Sequence, residues 1–247
     1  MPDRSARADV FLVSHGFAAS RAEAQAAIRA GRVEADGEKL TKPAQRLRET
    51  MNIHYQPVHP YVSRGGIKLA AALDHFSLSP GGRICLDIGA STGGFTQVLV
   101  ERGAARVYAV DVGHEQMHAK VRGNPRVICV DGVNARDLTS EKVPEAPQAI
   151  TIDVSFISLK LALPPALLLA AHDAWAILLV KPQFELGPRG VSKRGIVRDS
   201  SARESALADV TAWLKTQGWH VLDAMDSPIP GGEGNREYLL AAKKAGA

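Results

Sequence analysis

Between residues 83 and 242 the chain alternates short, strongly apolar runs with stretches of helical periodicity, and this alternation restricts the fold more than any other feature. The runs are Arg83–Ile88, Arg106–Asp111, Arg126–Val130, Ala149–Asp153, Trp175–Lys181, Trp219–Ala224 and Glu237–Ala242. Helical patterns cover Ile67–Phe76, Phe95–Arg102, Lys160–Ala171 and Asp199–Thr216. Nearly continuous hydrophobic strands separated by helices predict an α/β fold, a doubly wound sheet with helices on both faces. Sheets of this kind bind ligands beyond the carboxyl ends of their strands. The residues just past those ends should therefore carry the chemistry.

The first strand runs out into Asp87-Ile88-Gly89-Ala90-Ser91-Thr92-Gly93-Gly94-Phe95. Glycines there permit a tight turn and a close backbone approach to a ligand. The second strand ends in Asp111, 22 residues after Gly89, an offset that suits a ribose diol. The third is followed by Asp131, placed to meet an adenine amino group. No lysine follows Gly93-Gly94, which excludes a P-loop, and the glycine spacing is not that of a dinucleotide fingerprint. A nucleotide-containing cofactor fits the set. Asp87-x-Gly89-x-x-x-Gly93 resembles motif I of S-adenosylmethionine-dependent methyltransferases, whose cofactor has no pyrophosphate. The resemblance implies a cofactor site of Asp87, Gly89, Ser91, Thr92, Gly93, Phe95, Asp111, Asp131 and Phe156.

The fourth and fifth strands end in Asp153-Val154-Ser155-Phe156 and Lys181-Pro182-Gln183-Phe184-Glu185. Glu237 opens the last strand, and Lys68 lies on the helix before the first. An ionisable group where the chain leaves an apolar run needs a partner. The order Lys68, Asp153, Lys181, Glu237 resembles the catalytic tetrad of FtsJ-like 2′-O-ribose methyltransferases. The residue types suit that reaction. A ribose hydroxyl is a poor nucleophile until it loses its proton, and a lysine acts as base only when its pKa is lowered. Lys181 is expected to orient or deprotonate the hydroxyl. Asp153 and Glu237 would hold the lysines, and Lys68 would set the local potential and contact substrate.

Residues 1–60 read as a separate small α+β module. Arg7 to Gly16 has a short helix pattern, and Ser20-Arg21-Ala22-Glu23 forms a capping box in which Glu23 reaches back over Ser20. The helix Arg21–Ala30 ends at Gly31 and carries Arg21, Gln25, Arg29 and Arg32 on its polar side. Val33–Ala35 and Lys39-Leu40 flank Asp36-Gly37-Glu38 as a hairpin, and Met51–Tyr55 reads as a further strand. Residues 1–68 hold 11 Lys and Arg against 7 Asp and Glu, whereas residues 69–247 hold 19 of each. The whole net charge of +4 thus sits in the first quarter of the chain, where it favours phosphate backbones. The stretch Ser20-Arg21-x-Glu23-Ala24, Ile28, Gly31-x-Val33 and Asp36-Gly37 resembles the αL-type, or S4, RNA-binding domain. Arg4, Arg7, Arg21, Arg29, Arg32 and Arg64 are the residues expected to meet RNA.

Together these segments resemble the TlyA family: an S4-like domain over 1–60 and a Rossmann-like, FtsJ-like methyltransferase domain over 61–247. The match includes Ser63-Arg64-Gly65-Gly66-x-Lys68-Leu69, Asp153-Val154-Ser155-Phe156-Ile157-Ser158-Leu159 and Gly234-Asn235-x-Glu237-Tyr238. It implies 2′-O-methylation of a cytidine in ribosomal RNA or ribosomal subunits, on the large subunit and in some members also the small. Nine residues follow Tyr238, so any C-terminal extension that widens target range is expected to be short.

Other readings have weaker support. His114-Glu115-Gln116-Met117-His118 matches H-E-x-x-H, but it directly follows Asp111 and no third ligand motif follows; no metal is expected. A base methyltransferase would carry an Asn/Asp-Pro-Pro-Tyr clamp where this chain has Asp153-Val154-Ser155-Phe156. A non-catalytic RNA-binding assembly factor and a secreted haemolysin remain as alternatives. The first residues have no apolar signal core. The longest apolar stretch, Leu159 to Val180, is interrupted by Lys160, Pro164, Pro165, His172 and Asp173. Only two cysteines occur, Cys85 and Cys129, each in an apolar run. A disulfide framework is excluded, and a cytoplasmic protein is expected.

Overall fold

A computed structural model gives the fold and describes residues 5–18, 20–187, 191–192, 195–231 and 234–245. The chain divides into two compact units, Met1–Pro60 and Tyr61–Ala247.

The N-terminal unit contains β1 (Ser5–Arg7), α1 (Ala8–Ser14), α2 (Arg21–Arg29), β2 (Val33–Ala35), β3 (Glu38–Lys39), β4 (Arg46–Arg48) and β5 (Ile53–Tyr55). The two helices contact one another, and Phe11, Leu12, Ala24, Ala27, Ile28, Val33 and Leu47 form a common core. A three-stranded sheet runs in the order β3-β2-β5, and β1 pairs with β4. Two expectations are corrected here. The helix predicted from Arg7 begins at Ala8, because Arg7 is extended and pairs with Arg46. The hairpin turn is two residues rather than three: Glu38 already pairs with Ala35. Asp36 and Gly37 both take positive φ, 51° and 84°, as a type I′ turn requires. Ser20 caps α2 by accepting from the Glu23 amide at 3.2 Å, while the Glu23 carboxylate accepts from the Tyr55 hydroxyl at 3.0 Å. Of the six arginines assigned to RNA, Arg4 lies outside the described residues.

The second unit contains α3 (Gly65–His75), β6 (Ile84–Ile88), α4 (Gly94–Glu101), β7 (Arg106–Asp111), α5 (Ala119–Arg122), β8 (Val127–Asp131), β9 (Ala149–Ile152), α6 (Leu159–Ala162), α7 (Pro164–Leu169), β10 (Trp175–Val180), α8 (Pro182–Glu185), α9 (Ser200–Thr216), β11 (Trp219–Asp226) and β12 (Tyr238–Lys244). Its seven-stranded sheet has the order β11-β12-β10-β9-β6-β7-β8. Neighbours from β10 to β8 are parallel, and β12 runs antiparallel to both β10 and β11. The single helix predicted over Lys160–Ala171 is two short ones. Proline cannot donate the backbone bond that would continue α6, and Pro164 instead starts α7, where its missing N–H costs nothing.

Side chains alternate across the sheet with period two. Leu86, Ile88, Ile150, Ile152, Leu178, Val180 and Leu240 face α6, α7 and α9. Cys85, Ala149, Ile177, Leu179 and Leu239 face α3 and α4. The same alternation directs Asp87 toward α4. Its carboxylate is fully buried and accepts from the hydroxyls of Thr96 on α4 at 2.6 Å and Thr151 on β9 at 2.9 Å. One acid thereby ties two strands to the helix that starts at the glycine turn.

Burial pushes the Asp87 carboxyl up to about 6, against the pull of its two hydroxyl donors. A raised carboxyl stabilises the fold below its ordinary value of about 4 and loses that contribution as pH rises through its folded value. The stability of the wild type should therefore fall on the order of 2–3 kcal/mol from this group between about pH 4 and pH 7. Asp87→Asn should flatten that part of the profile. Denaturant titrations across the range would show parallel curves if the assignment is wrong.

Candidate active site

The chain passes from β6 to β7 on one side and later returns to β9 on the other. The strand order therefore reverses at the β6–β9 boundary, where a crevice opens in folds of this kind. A cavity of about 250 Å³ lies there, lined by Ser63, Arg64, Gly65, Lys68, Gly89, Ala90, Ser91, Thr92, Gly94, Phe95 and Asp153.

The glycine turn is shaped by close approach. Gly89 has φ 77°, and a Cβ placed on it would lie 2.2 Å from the backbone carbonyl of Asp153, far inside van der Waals contact. A Cβ on Gly94 would lie 2.1 Å from the Ser63 hydroxyl and 3.0 Å from the Gly66 amide. Ser91 is itself left-handed at φ 45°, an uncommon state for a residue with a side chain. It is held there by Asp111, whose Oδ2 accepts from the Ser91 amide and whose Oδ1 accepts from the Gly113 amide, both at 2.7 Å. Asp111 thus organises the loop, and each of its oxygens keeps a second lone pair for a ligand.

Asp131 stands directly opposite Asp111 in the β7–β8 ladder. Its Oδ2 accepts from Arg122 at 2.6 Å and from the Glu115 amide at 3.3 Å. The Arg122 guanidinium holds its carboxyl below the usual carboxylate range. Thr92 and Phe95 line the cavity, and Gly93 supplies the left-handed N-cap of α4. Asp87 lies beneath the turn, among the threonines already described. Phe156 is 91% exposed in a left-handed conformation, φ 64°, with its ring tilted against Phe184 at 5.2 Å.

Lys68, Asp153, Lys181 and Glu237 form two ion pairs beside this turn. Lys68 on α3 pairs with Glu237, the residue before β12, and both are buried. Lys181, the residue after β10, pairs with Asp153 at 2.5 Å and donates to the Ser155 hydroxyl at 2.9 Å. Lys68 and Asp153 both line the cavity, so one member of each pair faces the same space. Asp153, Lys181 and Glu237 each sit one residue outside the strand in which the sequence placed them, because the ladders stop at Ile152 and Val180 and resume at Tyr238. Room for Glu237 depends on Gly231, where a Cβ would lie 2.4 Å from Oε1.

Three further residues, Ser155, Glu185 and Asn235, support the site. Ser155 is the hydroxyl partner of Lys181. Glu185 accepts from the Ser158 hydroxyl at 2.5 Å and the Leu159 amide at 2.8 Å, fastening the Asp153–Ser158 loop to the end of α8. Asn235 accepts from the Val197 amide and donates to the Gly195 carbonyl. Their only signal in the sequence is that they stand within Asp153–Leu159, Lys181–Glu185 and Gly234–Tyr238. The H-E-x-x-H histidines have local partners: His118 accepts from the Lys120 amide at the start of α5, and the His114 ring lies against Gly132. Among the described residues no three His, Cys, Asp or Glu side chains converge for a metal.

The FtsJ-like methyltransferase family matches residues 61–244, and the S4 domain matches residues 6–53. The chain is 43% identical to the 16S/23S rRNA (cytidine-2′-O)-methyltransferase TlyA of Mycobacterium tuberculosis, over 96% of this chain and 89% of that protein. It is 42% identical to Hemolysin A of Brachyspira hyodysenteriae, over 94% and 98% of the two chains. A solved hemolysin-like chain from Streptococcus thermophilus is 40% identical with a TM-score of 0.79, covering 98% of this chain and 89% of that one. An S-adenosylmethionine-dependent methyltransferase structure from Listeria monocytogenes, at 15% identity and TM-score 0.54, shares the fold.

Gly89→Ala should collapse the crevice, since the obstructing atom is backbone and the left-handed φ adds strain of about 1–3 kcal/mol. Cofactor affinity measured by calorimetry should be lost while RNA binding persists. Unchanged cofactor affinity would show that the turn is not a wall of the ligand site.

Proposed function

The chain belongs to the TlyA family of FtsJ-like methyltransferases that carry an S4 domain, and from this premise we propose that it methylates the ribose 2′-hydroxyl of a cytidine in ribosomal RNA, using S-adenosylmethionine. The observation that carries the reading is the pairing of two lysines with two carboxylates beside a glycine turn at the switch point of the sheet.

The residues present fit the cofactor. Gly89, Gly93 and Gly94 allow the backbone to approach it closely. Asp111 offers acceptors to a ribose diol, and Asp131 stands beside it on the next strand for a purine amino group. Ser91, Thr92 and Phe95 complete the lining. Bound S-adenosylmethionine supplies a methyl carbon already activated by its sulfonium.

What remains is to hold and unmask the sugar oxygen. Lys181 directs the 2′-hydroxyl by hydrogen bonding, as it does the Ser155 hydroxyl in this structure. The Lys181–Asp153 pair would take up the hydroxyl proton as the sugar oxygen gains the methyl carbon and the carbon–sulfur bond breaks, its electrons leaving with a neutral thioether. Glu237 keeps Lys68 in place, and Lys68 stabilises negative charge on the oxygen or an adjoining phosphate. Alignment of this kind supplies roughly 7–11 kcal/mol of barrier lowering in favourable cases.

The N-terminal unit supplies affinity for RNA through Arg7, Arg21, Arg29 and Arg32, and Arg64 adds a cation at the cavity of the second unit. No helix among the described residues is long and apolar enough to cross a membrane, which accords with a ribosome-modifying enzyme acting in the cytoplasm.

Transfer of tritiated methyl groups to ribosomal subunits, followed by nuclease digestion, tests the reaction. A 2′-O-methylcytidine product is expected, and a base-methylated nucleoside would refute the mechanism. Lys181→Ala should lower turnover by at least about 100-fold, the scale of a lost acid–base group, with cofactor affinity within a few-fold of wild type. A parallel loss of cofactor binding would make Lys181 structural.

A further inference from the structure

Among the described residues of the N-terminal unit, the most deeply buried acid lies among arginines. Asp9, at the start of α1, has a side chain with 0% exposure. Its Oδ1 and Oδ2 accept from Nε and Nη2 of Arg7 at 3.0 and 3.2 Å, in a two-pronged grip. Oδ2 also accepts from Nη2 of Arg21 at 2.9 Å and from the Gln25 amide at 2.8 Å. Arg7 and Arg21 remain 46% and 58% exposed. The anion is therefore inside and the two cations outside, fixed to it by their inner edges.

Arg7 does not stand alone. In the β1–β4 ladder it is directly opposite Arg46, and Ser5 is opposite Arg48. Ala6 and Leu47 point inward between them, so Arg7, Arg46 and Arg48 share the outer face of the pair. Like charges facing across strands repel. Without a neighbouring anion, the long arginine side chains would swing apart and sample many rotamers. A guanidinium has five N–H donors. Arg7 uses two on Asp9 and Arg21 one, which leaves donors on the outward edge of each for a second anion.

We propose that Asp9 is a positioning residue for RNA: a buried acid that holds Arg7 and Arg21 as a preformed pair of phosphate-binding forks. The inference rests on the reading of these arginines as RNA contacts. Its consequence runs against simple charge counting. Removing a negative charge from a basic unit raises net charge and ordinarily tightens nucleic-acid binding. Here it weakens binding, because the two forks lose the anchor that aims them.

The test uses the full-length protein and protein-free large-subunit ribosomal RNA. Binding is measured over a salt series for the wild type, Asp9→Asn, Arg7→Ala/Arg21→Ala, and the triple variant. Asp9→Asn should weaken binding about tenfold, the scale of one well-placed charge-assisted contact. It should also reduce the slope of log K against log salt by about 0.7–0.9 for each arginine no longer seated on a phosphate. In the Arg7→Ala/Arg21→Ala background it should have no further effect. Unchanged or tighter binding by Asp9→Asn, with the double-arginine variant impaired, overturns the proposal. So does further weakening in the triple variant, which would mean that Asp9 acts by holding the unit folded. If the double-arginine variant binds RNA as the wild type does, the RNA reading of these arginines fails, and the role of Asp9 fails with it.

Discussion

The close approach of Gly89 to the carbonyl of Asp153 is the constraint on which the site depends. These residues end adjacent parallel strands, and nothing larger than hydrogen fits between them. That contact makes the glycine turn and the acid of one ion pair two walls of a single crevice. The turn is then fixed from other directions. Asp111 grips the amides of Ser91 and Gly113, and Asp87 ties β6 and β9 to α4 through two threonines. Carboxylates that a motif reading assigns to ligand contact are therefore also the fastenings of the loop. The two roles are compatible for Asp111, whose oxygens face the turn. They separate for Asp87, whose oxygens face the threonines.

The ion pairs extend the same economy of parts. Lys68 and Glu237 are 169 residues apart in sequence, and their pairing joins the helix before the first strand to the last strand of the sheet. Lys181 and Asp153 join the ends of β10 and β9. Removing one partner of a buried pair strands the other charge, at about 3–5 kcal/mol. Machinery of this kind is thus also structural, and only a readout that isolates chemistry from folding separates the two contributions. The Ser155 hydroxyl shows how Lys181 can serve both ends: it keeps one carboxylate and still donates to an oxygen presented from the side.

Much of this was legible in the sequence because strand ends in a parallel sheet are marked. An apolar run stops, and a charge or a glycine follows. The seven runs, the turn after Ile88, Asp153 and Lys181 could be read in this way, whereas Lys68, on α3, and Glu237, before β12, stood out only through the family resemblance. Short elements could not. β1 and β4 have three residues each, too few for a period to register, and pairing 41 residues apart is invisible locally. Pro164 warned of a break in the predicted helix over Lys160–Ala171, but the apolar residues on either side kept the pattern running. The roles of Glu185 and Asn235 were hidden for another reason. Each acts by hydrogen bonding to a backbone distant in sequence, and a polar residue at a loop carries no mark of which loop it fastens.

Each unit has an excess of two positive charges: Met1–Pro60 holds 9 Lys and Arg against 7 Asp and Glu, and Tyr61–Ala247 holds 21 against 19. In the second unit the lysines of the site are each paired with a carboxylate, and the excess is spread over a chain about three times as long. In the first unit the excess is concentrated in 60 residues, and Asp9 restrains part of it. A mobile, unopposed cluster of arginines would bind any phosphate backbone, with strength set mainly by salt. Forks held at a fixed spacing discriminate between backbones whose phosphates match that spacing and those whose phosphates do not. A buried anion in a basic surface therefore exchanges gross attraction for geometry. That exchange is useful to an enzyme that must find one ribose among the many of a ribosomal RNA.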